Sequence, residues 1–173
     1  MKLSTGKVAF PIEFDNGDKA VIYFNPNDSG IQERIQGFEA SVEKRAQEID
    51  FEKYRDKLEK NITADIEDVD SLLEMSVEEM TALQDKVGAT HSIEQEYNKI
   101  VREELDAVFG DKISDIVFKY CQPFDIVIAE DSKGNETREM YIVHFMRWLA
   151  LELKKYGEKN KGAMDRHLSK YGK

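Results

Sequence analysis

Residues able to do chemistry are sparse and scattered. The three histidines, His91, His144 and His167, lie far apart, and none has a helix-spaced ligand beside it. Cys121 is the single cysteine; it has no CxxC companion, forms no intramolecular disulfide, and has no neighbour that would lower its pKa. His144, set among Val143, Phe145 and Met146, reads as a hydrogen-bonded core histidine. The run from Asp65 to Asp70 is acidic, but a calcium loop starting there would want glycine at its sixth position and glutamate at its twelfth; the chain has Asp70 and Ser76. Glu78 with Glu79 and Glu103 with Glu104 read as solvated helix faces. No GxGxxG, P-loop or GxSxG pattern occurs. These absences direct expectation away from catalysis, cofactors and metals. They leave a candidate partner-binding stripe of Met140, Phe145 and Trp148, residues that fit ordinary core packing equally well.

Elements must then position those residues. Val8, Phe10, Ile12 and Phe14 alternate with polar or small residues, and Ala20, Ile22 and Phe24 repeat the pattern, predicting a β-hairpin over 7–24. Its Asn16-Gly17 pair suits a primed two-residue turn. Pro11 cannot donate to a ladder, so its strand is expected at an edge or a bulge. The hairpin is free to close within one chain or to pair with a copy of itself. Asp28 or Ser29 starts a helix whose apolar residues Ile31, Ile35, Phe38, Val42, Ala46 and Ile49 keep steps of three and four, reaching at least Ile49. Short helices are expected over Ile62–Met75 and Val77–Val87, closing at Gly88-Ala89-Thr90. A central helix capped by Ser92 follows, with Ile93, Tyr97, Ile100, Val101, Leu105, Val108 and Phe109 on one face and Gly110 as its stop. Ile113 to Tyr120 folds back as a short helix. Phe124–Ala129 is a strand or extended loop, and a last helix begins near Thr137 and runs to Leu153. The expectation is an α+β, mostly α fold: an N-terminal hairpin, then long amphipathic helices around a central one. A single domain over 1–153 is followed by a basic tail over 154–173.

Charge separates the two. The chain of 173 residues has a formal net charge of −10, yet its last 20 residues hold seven basic against two acidic residues. The tail is therefore at +5 and the body at −15. An acidic body argues against general nucleic-acid binding, and the tail reads as a solvated end. No run approaches the roughly 18 apolar residues of a membrane span, and the opening residues do not form a signal peptide. The expected location is a cytoplasm.

Three places carry a resemblance. They are the strand pair leading into Phe24-Asn25-Pro26-Asn27-Asp28; Leu105-Asp106-Ala107-Val108-Phe109-Gly110 followed by Ser114-Asp115-Ile116-Val117-Phe118; and a terminal helix ending in Ser169-Lys170-Tyr171. In this order the chain resembles small tail-module proteins of phages and prophages of Gram-positive bacteria, of the tail assembly chaperone-like kind. The resemblance implies a non-enzymatic factor that binds and solubilises the tape-measure protein or tail-tube subunits before polymerisation, acting in the host cytoplasm; the open hairpin edge adds a possible homo-oligomer. The alternatives are a structural virion component of the connector or tail-completion type, a regulator that binds a host protein, and, last, an enzyme.

Overall fold

A computed structural model describes residues 5–60, 75–110, 112–130 and 134–171, with backbone alone at 130 and 162–171. The short helix expected over 62–75, all but Met75, and the acidic run over 65–70 lie outside these residues. Strands β1 (Val8–Glu13) and β2 (Lys19–Phe24) are followed by helices α1 (Ser29–Ala46), α2 (Glu52–Leu58), α3 (Val77–Phe109) and α4 (Ile113–Val117). Strands β3 (Ile126–Glu130) and β4 (Glu136–Met140) come next, and helix α5 (Tyr141–Tyr171) closes the order. The architecture is α+β and mostly helical, as the periodicities require. The described residues group into two compact units, one formed by Met1–Phe38 with Arg102–Lys173 and the other by Glu39–Val101.

In the first unit β1 and β2 pair antiparallel within the chain, from Val8 opposite Phe24 to Glu13 opposite Lys19. The alternation holds: Phe10, Ile22 and Phe24 are buried, while Tyr23 faces outward. Phe10 stacks on Phe24 with centroids 4.4 Å apart, and Phe24 meets Phe109 edge-on at 5.0 Å. The turn differs from the expected primed pair. Gly17 N–H donates to Phe14 O at 2.9 Å and Phe14 N–H to Asp18 O at 2.8 Å, with Gly17 at φ +85° and Asn16 at negative φ. This is a three-residue loop with its left-handed residue at Gly17, because only the glycine accepts positive φ without strain.

Asp28 is the cap of α1, its Oδ1 accepting the Gly30 N–H at 2.9 Å. The helix ends at Ala46 rather than Ile49; the backbone tightens through Gln47–Ile49, where Ile49 N–H donates to Ala46 O at 3.2 Å, and α2 starts separately. At the end of α3, Arg34 Nε donates to Val108 O at 2.9 Å. Gly110, at φ +71°, then turns the chain. Asp106 starts the next helix from outside it: Oδ1 accepts Ser114 N–H at 2.8 Å and Oδ2 accepts Ser114 Oγ–H at 3.0 Å. Arg102 closes the other end of α4, donating to Phe118 O at 3.1 Å and to Gln122 Oε1 at 3.2 Å while stacking on the Phe118 ring. Leu105 and Leu149 lie at the centre of this core, at 0% and 1% exposure.

In the second unit the break expected at Gly88–Thr90 is absent: α3 runs 33 residues without interruption. Its start is a capping box at Ser76, whose Oγ accepts Glu79 N–H at 3.2 Å while Glu79 Oε2 accepts Ser76 N–H at 3.0 Å. Ser92 caps nothing. Its hydroxyl donates back to Gly88 O at 2.8 Å inside the helix. Lys53 and Tyr54 of α2 both reach Glu96 of α3, the tyrosine hydroxyl at 2.8 Å, and Lys60 pairs with Asp85 at 2.5 Å. The paired amines hold the Glu96 and Asp85 carboxyls below their ordinary values.

Candidate partner-binding groove

The second hairpin departs most from expectation. Residues 136–140, where the last helix was expected to begin, form β4, paired antiparallel with β3 from Ile126 opposite Met140 to Glu130 opposite Glu136. Helix α5 starts at the very next residue. Its first donors are taken by backbone carbonyls, Tyr141 N–H to Asp125 O and Ile142 N–H to Pro123 O, both at 2.9 Å. Nor does α5 end at Leu153; it continues through the basic segment to Tyr171, so the expected boundary at 153/154 has no counterpart in the secondary structure.

Inward positions of α5 are Ile142, Phe145 and Leu149, spaced three and four apart. That spacing leaves Val143, His144 and Arg147 outside. His144 is therefore hydrogen-bonded, as expected, but it is not a core residue: its Nδ1 lies 2.9 Å from Glu139 Oε1 with its side chain 46% exposed. Glu139 itself is the covered partner. Arg147 Nη1 donates to Oε1 at 2.9 Å and Nη2 lies 2.5 Å from Oε2, while the glutamate side chain is only 9% exposed. Arg147 supplies the opposite charge to the carboxylate that β4 turns toward α5.

Of the three residues proposed from sequence, two meet at one site. Phe145 and Trp148, with ring centroids 5.6 Å apart, line a groove of about 220 Å³. Ile12, Phe14, Tyr120, Val127, Ile128 and Tyr141 line it as well, with Glu13 and Asp15 at its rim. Phe145 is 5% exposed and serves as the floor rather than as a free contact. Trp148 is half-buried. Met140 is not part of the lining; it sits on the outer face of the second hairpin at 39% exposure, beside its cross-strand partner Ile126 at 64%. Sequence reading missed Ile128, 69% exposed within the lining, and Val143, 40% exposed on the same helix as Phe145 but outside the lining. Their signal was present in the alternation Ile126, Ile128 over a strand whose partner strand went unrecognised.

The groove is too small for most small-molecule ligands, whose sites run to roughly 300–1,000 Å³. It has room for one or two apolar side chains. Cys121, which also lines it, and Tyr141 are poorly suited to nucleophilic work. Burial, then the Asp125 and Asp15 carboxylates, push the Cys121 thiol up, and burial pushes the Tyr141 hydroxyl up as well. Both groups are thereby held in their neutral forms. Among the described residues no group of three or more His, Cys, Asp or Glu side chains is placed to hold a metal, and no helix is long and apolar enough to cross a membrane. Comparison of the chain with models of protein families, with curated proteins and with solved structures finds no match.

Proposed function

We propose that this chain is a non-enzymatic assembly factor of a phage tail module, which binds an apolar helical segment of the tape-measure protein or a tail-tube subunit and keeps it in solution. The observation that carries this reading is the grouping of apolar surface around one groove: Trp148, Ile128 and Tyr120 at the groove, with Ile126, Met140 and Val143 adjoining. Exposed apolar surface concentrated in one region marks a place where another chain docks. The acidic surround suits a chaperoning role, since a net charge of −10 keeps a bound apolar partner dispersed. The resemblance in the order of the sequence elements supplies the identity of that partner, and the bacterial cytoplasm is the compartment in which it would be met.

Co-expression with the long helical gene product expected beside it tests the proposal. The expected result is a soluble complex on size exclusion with light scattering, containing a partner that is insoluble alone, and absence of this chain from finished particles by mass spectrometry. Trp148→Ala should leave the circular dichroism unchanged and weaken the complex by about tenfold, the loss of one anchoring aromatic. Full binding by a folded Trp148→Ala variant would refute the assignment of the groove.

A further inference from the structure

The groove has an acidic rim above an apolar floor. Asp15 is exposed and makes no hydrogen bond or ion pair with the described residues, and its carboxylate acts on both Cys121 and Tyr141. Glu13, beside it, has only an exposed 3.4 Å contact with Lys19. Such a site suits a segment that offers apolar side chains flanked by cations. This chain contains one. Residues 159–173 hold five basic residues against a single acidic one, and Met164, Leu168 and Tyr171 are spaced four and three apart. The backbone is helical through Tyr171, so these three positions fall on one stripe.

The segment cannot reach its own groove. It belongs to the same unbroken helix as Trp148, and sixteen residues of helix place position 164 about 24 Å along the axis from Trp148. An occupant from this sequence therefore has to come from another molecule. We infer that the groove between the first hairpin and the start of α5 is a self-association site that receives residues 159–173 of a second copy of this chain. Reciprocal insertion closes a dimer, and head-to-tail insertion gives an open series. The inference shares the groove with the function proposed above but needs no other protein. It is tested on the purified chain alone, so its failure leaves the assembly reading standing.

Trp148 is the only tryptophan in the chain and reports directly on groove occupancy. Nuclease-treated full-length protein is diluted while light scattering and Trp148 emission are followed. A synthetic peptide of residues 159–173 is titrated separately. The expected result is mass above that of one chain, as a dimer or as a concentration-dependent series, with emission shifting to shorter wavelength over the same range. The peptide should compete. Raising salt from about 0.05 M to about 0.5 M should weaken association by about tenfold or more, because the contact pairs exposed charges. Combined Lys159→Glu, Lys161→Glu, Arg166→Glu and Lys170→Glu changes should abolish self-association. Mixing that variant with an Asp15→Lys variant should restore part of it by exchanging the signs. A monomer with constant emission up to about 200 μM, an assembly indifferent to the reversed tail, or one that nuclease removes would each overturn the inference.

Discussion

Replacing Asp106 by alanine removes both acceptors that hold the start of α4. The carboxylate takes the Ser114 N–H at 2.8 Å and the Ser114 hydroxyl at 3.0 Å, and Ser114 is only 3% exposed, so water does not replace either acceptor easily. A hydrogen bond to a charged group contributes about 1.5–3 kcal/mol, and a buried donor left unpaired costs a similar amount. Asp106→Ala should therefore destabilise this unit by about 3 kcal/mol. Ser114→Ala removes one bond and leaves the other, for about 1.5 kcal/mol. In the Asp106→Ala background the hydroxyl has already lost its partner, so adding Ser114→Ala should cost about nothing, giving a coupling of about 1.5 kcal/mol. Urea unfolding followed by Trp148 fluorescence, which reports on the same compact unit, and by far-ultraviolet circular dichroism measures all four corners. With a denaturant slope of about 2 kcal/mol/M, Asp106→Ala should move the midpoint down by about 1.5 M. A shift below about 0.3 M, or strict additivity of the two substitutions, would refute the claim that this carboxylate starts the helix.

Three further outcomes follow from other sites. Gly110→Ala should cost about 1–2 kcal/mol, seen as a lowered thermal midpoint; φ is +71° and the added Cβ would meet nothing within 4 Å, so the whole cost is backbone strain. Cys121 should be alkylated by iodoacetamide at pH 8 more slowly in the folded chain than after unfolding in urea, because burial and then Asp125 and Asp15 disfavour its thiolate; equal rates would contradict the raised pKa. The Tyr120 hydroxyl, then Lys119, hold Asp18 below its reference value of 3.8. A lowered folded-state pKa contributes stability that is present above the unfolded value and lost as pH falls through the folded one. The thermal midpoint of the wild type should thus exceed that of Asp18→Asn slightly near pH 7, with the gap closing below about pH 3; a gap that widens on acidification would reverse the sign. Both partners are exposed to solvent, so the gap is small.

The first hairpin was legible because its inward residues, Phe10, Ile22 and Phe24, are apolar at period two and its glycine sits at the turn. The second was half legible. β3 has Ile126 and Ile128, but β4 turns Glu139 toward α5, and an inward glutamate is readable only once Arg147 and His144 are known to answer it. The long helix was cut in the wrong place for a related reason. Ser92 with Gln95 and Ser76 with Glu79 both satisfy the capping-box pattern, and local sequence does not say which backbone amides lack partners. Gly88 reinforced the error, although one glycine costs only about 1 kcal/mol in a helix held by contacts along its length. Phe145 and Trp148 were named from sequence in one stripe with Met140. That Phe145 is buried, Trp148 half-buried and Met140 outside the lining depends on which face of α5 meets the hairpins, a matter of tertiary packing.

The direct passage from β4 into α5 has a mechanical consequence. No loop intervenes, and the first two helical amides are fastened to Asp125 and Pro123, just before β3. The hairpin and the root of the helix therefore turn together as one joint, and the 31-residue helix is its lever arm, about 46 Å long. A tilt of about 10° at the joint would carry the far end through about 8 Å. Any tilt of the hairpin is thus read out, magnified, at the far end of the helix.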